Sequence, residues 1–418
     1  VDKFIVKGGT PLSGTIEVGG SKNAALPVMA ACILATGKCS VAKIPILRDT
    51  ATMDALLRQF GITVDVDKAG TFLIDGATIQ NAVAPYDLVR TMRASFFVLG
   101  PLLARLGWAR VSLPGGCAIG ARPVDLHLDG LRKMGADIEL VGGYVEATAE
   151  KLHGANIYLE LPSVGATENM MMAACLADGE TTIMNAAREP EIVDLQRFLR
   201  ALGASVDGAG TGEVVIHGKT KLGAASHVVI PDRMEAATYV LAGLITRGNV
   251  TVTDAMPDHL DAVLESVREM GAEIEVTDST IAASAPKRLS ACDITTLPYP
   301  GFPTDLQPHI MAALSLAKGT STITETVFER RFTQVPELVR MGADIEVESD
   351  VAIVRGVARL KGAQVMAPDI RAGAALVLAA LAAKGETHIR RIYHIDRGYE
   401  GLEEKLAAIG AEIVRVTE

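Results

Sequence analysis

The chain has 418 residues, 49% of them hydrophobic and 22% charged, which is enough for two ordinary domains and too long for one compact core. Aromatics make up only 4% against 40 glycines, a balance that favours closely packed helices over an aromatic-rich core. A formal charge of −10 excludes a general nucleic-acid or membrane-surface binder, so any anionic ligand has to be held by a local cluster of Lys and Arg.

Taken in chain order, the pattern opens with a helix from Ser21-Lys22-Asn23 toward Gly37, then the strand CSVAKI (39–44). A second helix follows from about Arg48 to Gly61, then the alternating strand ITVDV. The same order of helix, Gly, strand, connector, helix, Gly and strand returns five more times. First helices are expected to begin near Met92-Arg93, Gly165-Ala166-Thr167-Glu168, Asp232-Arg233, Thr304-Asp305 and Asp369-Ile370-Arg371. Second helices are expected near Arg122, Arg188, Asp258, Arg331 and Arg397, closing at Gly135, Gly203, Gly271, Gly342 and Gly410. The first helices close at Gly37, Gly107, Gly179, Gly248, Gly319 and Gly385, and every one of these twelve glycines suits the left-handed position past a helix end. Six copies in phase, about 70 residues each, point to an α/β protein of two domains with three repeated units apiece. A conventional dinucleotide-binding sheet lacks support, because no strand–GxGxxG–helix fingerprint occurs.

The helix starts carry unexpected charges. Arg48, Arg122 and Arg397 each stand 13 residues before their closing glycine, so they are equivalent by spacing. A cation at a helix N-terminus is disfavoured by a few tenths to about 1 kcal/mol. The same N-terminus with its amide groups is an anion site, and a bound anion would offset the repulsion. The competing reading turns each cation to solvent or pairs it with a neighbouring Asp. Asp305 and Asp369 precede Ala- and Leu-rich helices and read first as caps, with Phe302-Pro303-Thr304 fixing the entry of the chain at Asp305.

The stretch Pro114-Gly115-Gly116-Cys117-Ala118-Ile119-Gly120-Ala121-Arg122 follows a strand and leads through Pro123 into a helix. A thiol beside Arg and a helix N-terminus has its thiolate favoured, the setting of reactive cysteines. The alternative is an inert buried Cys. The other four cysteines are far apart without CxxC spacing, and the eight histidines show no ligand spacing, so neither a disulfide framework nor a metal site is expected. The first seven residues lack a signal-peptide pattern, and the longest apolar runs, 24–35 and 374–383, are too short to span a bilayer. A soluble, cytoplasmic location is expected.

The pieces GGSKNAALP (19–27), VRTMRAS (89–95), LPGGCAIGARPVDLH (113–127), SVGATEN (163–169), FPTDLQ (302–307), ETVFERRF (325–332) and RIYHIDRGYE (391–400) closely resemble UDP-N-acetylglucosamine 1-carboxyvinyltransferases. The likeness runs in order over the whole chain. It implies two inside-out α/β, barrel-like domains of three repeats, with the N-terminal segment joining the second: residues 1–21 plus 230–418, and 22–229, with the active site in the cleft between them. It implies transfer of the enolpyruvyl group of phosphoenolpyruvate to the 3′-hydroxyl of UDP-N-acetylglucosamine, the committed opening step of peptidoglycan synthesis, with no metal or organic cofactor.

Residue by residue, the resemblance makes Lys22, Arg122 and Arg397 the phosphoenolpyruvate clamp, with Asn23 bridging to the sugar. Arg93, Arg331 and Arg371 become cations of the same cleft. Pro123, Val124, Asp125 and Leu126 hold the uridine, Ser163, Val164 and Gly165 the diphosphate, and Asp305 and Val327 the sugar. Cys117 becomes the general acid and the target of fosfomycin-type epoxides, and Asp305 the base. Some relatives carry a Lys just before the Ser-Val-Gly turn, where this chain has Leu161-Pro162, which puts any diphosphate contact from that Lys in doubt. Two other readings remain: the sister enzyme acting on shikimate 3-phosphate, against which the Cys117 loop and the uridine segment argue, and a non-catalytic nucleotide-sugar sensor. The sequence sets no oligomeric state and is compatible with a monomer.

Overall fold

Two kinds of helix, told apart by where their apolar residues fall, organise the structure. The computed structural model describes residues 2–114 and 124–417. By their internal contacts the described residues divide into two units, one drawn from Gly20 to Ile230 and the other combining the segment up to Gly19 with that from Pro231 onward.

In each unit, among the described residues, three four-stranded sheets surround three buried helices. In the 20–230 unit the buried helices are Lys22–Ala31, Leu99–Leu106 and Val164–Ala174. In the other they are Arg233–Ile245, Gln307–Leu314 and Ile370–Ala382. A helix that is apolar all round belongs inside, and every residue of Arg233–Ile245 is buried. Small residues let these helices approach closely. A Cβ on Gly100 would stand 2.3 Å from Asn169 Oδ1, on a different buried helix.

The second helix of each repeat is amphipathic and lies outside: Arg48–Gln59, Asp125–Lys133, Pro190–Ala201, Asp261–Glu269, Val335–Arg340 and Leu402–Ala408. All six glycines that follow them are left-handed, with φ from 84 to 101°. Of the glycines expected to close the first helices, Gly107, Gly179, Gly319 and Gly385 are left-handed, but Gly37 and Gly248 are not. At the latter site Arg247 takes the left-handed turn, with φ 56°, and Gly248 is required for closeness instead: a Cβ there would lie 1.9 Å from the Leu12 carbonyl oxygen.

Each sheet has one parallel pair, and its remaining pairings are antiparallel. The strand Lys38–Ala42 pairs in parallel with Ser226–Val228 and antiparallel with Phe72–Asp75, which in turn meets Thr63–Val66. The leading strands Lys38–Ala42, Glu180–Met184, Asn249–Thr253 and Thr320–Thr324 share one alternation of buried and less buried positions, the period-two signature of a sheet covered on one face. The N-terminal strands belong to the C-terminal unit. Ser13–Glu17 runs parallel to Asn249–Thr253, while Asp2–Gly8 sits between Gly385–Arg390 and Glu412–Thr417, antiparallel to both.

Candidate functional site

In the 20–230 unit the expected residues gather at helix starts. Ser21 caps the helix Lys22–Ala31, its hydroxyl accepting from the Ala24 amide at 3.3 Å. Lys22, the first helical residue, is buried, and its Nζ donates to Asp49 Oδ2 at 3.1 Å. Asn23 follows, half-buried. Ser163 caps Val164–Ala174 in the same way, accepting from Ala166, so Val164 and Gly165 form the opening turn of a helix end suited to phosphate. Arg93 opens the 3-10 turn Arg93–Val98. Val124 is half-buried and precedes the helix Asp125–Lys133, in which Asp125 is exposed and Leu126 half-buried. Cys117, Arg122 and Pro123 lie outside the described residues. Leu161 is exposed and its carbonyl accepts from the Ser163 amide, so an apolar side chain stands where some relatives carry a Lys.

Two residues of this region are given no role by the sequence. His127 is buried, edge-on to Phe96, with its Nδ1 3.0 Å from Asn169 Nδ2. The Asn169 oxygen accepts from the Gly100 amide at 2.7 Å, which fixes the amide orientation. Asn169 therefore donates to Nδ1 and the ring proton sits on Nε2. A Cβ on Gly165 would lie 3.3 Å from His127 Cε1, so the ring lies against the turn at Ser163-Val164-Gly165. Burial, followed by the charge of Arg93, pushes His127 down to about 3, which leaves a neutral imidazole there. The second residue is Glu168, 1% exposed, neither carboxyl oxygen having a hydrogen-bond partner among the described residues. Burial, then Glu191 and Glu189, push its carboxyl well above the usual range.

The other unit holds Asp305 between two guanidinium groups. Arg331 Nη1 donates to Oδ1 at 2.8 Å and Arg371 Nε to Oδ2 at 3.0 Å. Both arginine side chains are buried, at 2% and 5% exposure, whereas Asp305 keeps 29%. This corrects the expected capping role of Asp305. It lies within the short turn Thr304–Leu306, after Pro303 as the cap residue, and its carboxylate faces arginines instead of its own amides. Asp369 does cap: its Oδ1 accepts from the amides of Arg371 and Ala372, and its Oδ2 from Thr333. Val327 is placed by Glu325, whose Oε1 accepts from the amides of Val327 and Phe328.

The helix-start reading of the cations divides. Lys22 and Arg371 do stand in first turns, each paired with an Asp. Arg48 and Arg188 face solvent. Arg331 precedes its helix, Val335–Arg340, by four positions, and Arg397 ends the 3-10 turn Ile392–Arg397 five positions before Leu402–Ala408. The helix dipole falls off within the first turn, so it is not what holds these two. Gly398 lies against Ile370, where a Cβ would be 2.5 Å from Cγ2, and this sets Arg397 beside the start of Ile370–Ala382.

Capped helix starts, buried cations and a carboxylate gripped by arginines suit an enzyme that handles anionic substrates. The EPSP synthase (3-phosphoshikimate 1-carboxyvinyltransferase) family matches residues 6–406, and the chain belongs to that family. It is 54% identical, over the full length of both chains, to a UDP-N-acetylglucosamine 1-carboxyvinyltransferase of Granulibacter bethesdensis, and 53% identical to one of Magnetococcus marinus over the same extent. Among solved structures it is similar to the enolpyruvyl transferase NikO from Streptomyces tendae, with 28% identity, TM-score 0.90, and 100% and 99% of the two chains covered. EPSP synthase from Acinetobacter baumannii shares the fold at 20% identity, TM-score 0.79, both chains fully covered.

Proposed function

We propose that the chain transfers the enolpyruvyl group of phosphoenolpyruvate to the 3′-hydroxyl of UDP-N-acetylglucosamine, releasing phosphate, as the first committed step of peptidoglycan synthesis. The observation that carries this reading is identity of 51–54% over essentially the whole length with several relatives that bear one name. The capped turn at Ser163, the neutral His127 beside it and the paired cations support it chemically.

Phosphoenolpyruvate is taken by Lys22, Arg122 and Arg397, with Asn23 between it and the sugar. The cations Arg93, Arg331 and Arg371 add to the positive field that two multiply charged anions require. Pro123, Val124, Asp125 and Leu126 receive the uridine, Ser163, Val164 and Gly165 the diphosphate, and Val327 with Asp305 the sugar. In the addition step the 3′-oxygen bonds to carbon 2, its proton passing to Asp305, while the Cys117 thiol gives its proton to carbon 3. In the elimination step carbon 3 returns a proton to the Cys117 thiolate, the bond from carbon 2 to the phosphate oxygen breaks as the phosphate leaves with the proton held by Asp305, and the double bond returns. The partly cationic carbon 2 is stabilised by the same carboxylate. The Cys117 thiol can also add across the double bond, its sulfur to carbon 2 and its proton to carbon 3, and it is the proposed target of fosfomycin-type epoxides. No helix of the described residues is long and apolar enough to cross a membrane, and we place the enzyme in the cytoplasm.

The test is release of inorganic phosphate from phosphoenolpyruvate by the purified protein. Release that requires UDP-N-acetylglucosamine is expected. Release that requires shikimate 3-phosphate would assign the protein to the sister reaction, and no release with either acceptor would favour a nucleotide-sugar sensor.

A further inference from the structure

The grip on Asp305 is itself held from behind. Arg331 Nη1 also donates to the Thr304 hydroxyl at 2.9 Å, so one local hydroxyl fixes one arginine. The partner of Arg371 comes from much further along the chain: its Nη1 lies 3.3 Å from the hydroxyl of Tyr399. That tyrosine is 3% exposed, and the guanidinium carbon sits 5.6 Å from its ring centroid.

Tyr399 Oη has two further contacts, Thr238 Oγ1 at 3.0 Å and His309 Nε2 at 2.9 Å. Their proton directions can be assigned. Thr238 donates its only hydrogen to the Met234 carbonyl at 2.7 Å, so it accepts from Tyr399. Arg371 can only donate. With its one proton given to Thr238, Tyr399 accepts from both Arg371 and His309, whose ring proton is then on Nε2. Its Nδ1 is buried without a hydrogen-bond partner among the described residues. His309 has to be neutral to sit behind a guanidinium, and burial, with Arg371 next, pushes it down to about 3. His309 stands one helical turn after Asp305, so the contacts close a ring: Asp305, Arg371, Tyr399, His309 and back along the chain.

We propose that Tyr399 is a positioning residue for the reaction, with His309 and Thr238 fixing the direction of its hydroxyl, and that it acts by holding Arg371 in register against Asp305. At 3% exposure it acts through Arg371. A guanidinium tethered at both Nε and Nη1 cannot rotate, so the carboxylate keeps one orientation toward the attacking hydroxyl. Without the phenol oxygen the Nη1 donor is buried and unsatisfied, and Arg371 turns to find another acceptor. This inference rests on the reading of Asp305 as the base.

The experiment compares Tyr399→Phe, Asp305→Asn and the double variant, measuring kcat, KM for both substrates and the unfolding midpoint. Tyr399→Phe is expected to lower kcat roughly tenfold to a hundredfold, the range for one hydrogen bond to a charged group, with KM for UDP-N-acetylglucosamine within about twofold. The double variant is expected to be no slower than Asp305→Asn. Thr238→Val, which keeps the shape and removes the acceptor, is expected to lower kcat several-fold and provides the test if Tyr399→Phe does not fold. Losses that multiply in the double variant would overturn the inference, as would kcat within twofold of wild type for both Tyr399→Phe and Thr238→Val. Normal turnover by Asp305→Asn would instead overturn the reading of Asp305 as base, whatever Tyr399→Phe shows.

Discussion

Replacing Glu168 by Gln should change the pH dependence of stability in a direction opposite to that of ordinary surface carboxylates. Glu168 is 1% exposed and has no hydrogen-bond partner for either oxygen among the described residues, while burial, Glu191 and Glu189 hold its carboxyl well above the usual range. In the unfolded chain a Glu ionises near pH 4.3. Below that value both states keep the proton and the site costs nothing electrostatically. As pH rises, the unfolded chain releases the proton and the folded chain does not, so stability falls by about 1.4 kcal/mol per unit until the native group ionises. The unfolded chain's titration sets the ceiling on this loss between pH 5 and pH 7 at roughly 2.5 kcal/mol. A Gln of the same shape cannot titrate, so any constant effect of its amide cancels when the two proteins are compared across pH. The variant should therefore gain on wild type from pH 5 to pH 7 by up to that amount, at most roughly 5–10 °C in Tm for a unit of about 200 residues. Trp108, the only tryptophan, lies in the same 20–230 unit, and its emission in urea titrations at pH 5, 6 and 7 reads the difference. A stability difference that stays constant across that range would refute the argument.

Gly100→Ala should destabilise the same unit by about 2–3 kcal/mol, since its Cβ would stand 2.3 and 2.5 Å from Asn169 oxygens; urea unfolding followed at Trp108 checks it. Arg397→Ala should cut turnover by roughly a hundredfold or more while nucleotide-sugar binding, measured by calorimetry, changes little; equal weakening of that binding would move Arg397 out of the phosphoenolpyruvate clamp. Cys117→Asp should retain turnover with an optimum at lower pH and resist epoxides, whereas Cys117→Ser should lose most turnover because a hydroxyl is far too weak an acid; pH–rate profiles with and without fosfomycin decide it.

The parts of the fold that were legible in the sequence are those a local rule dictates. Gly61 and its five equivalents are left-handed because helix ends impose that conformation wherever they occur, and the buried helices show as Ala- and Gly-rich runs. The same rule misled at Gly248, where the demand comes from Leu12, more than 200 residues away. Asp305 looked like Asp369, an acid ahead of an apolar helix, and only the arginines at 331 and 371 separate their roles. His127, Asn169, Glu168, His309 and Tyr399 acquire meaning only from partners distant in sequence, which spacing and periodicity cannot supply. The roles of Lys22 and Asn23 came from resemblance; their place at a capped helix start came from the residues themselves.

The exchange of the first strands into the C-terminal unit has a consequence for how the chain is made. Phe4 pairs with Ile389 on one side and Arg415 on the other, so the strand Asp2–Gly8 leaves the ribosome some 400 residues before either neighbour exists. The 20–230 unit meets no such delay, because all its sheet partners lie within that span. During translation one unit can therefore close while a short β-strand ahead of it stays unpaired, exposing edges that invite wrong partners. A circular permutant that opens at Gly20 and joins the old ends by a flexible linker would give both units continuous sequence. It would remove the longest-range pairing in the molecule, and with it the slowest loop closure that folding must make.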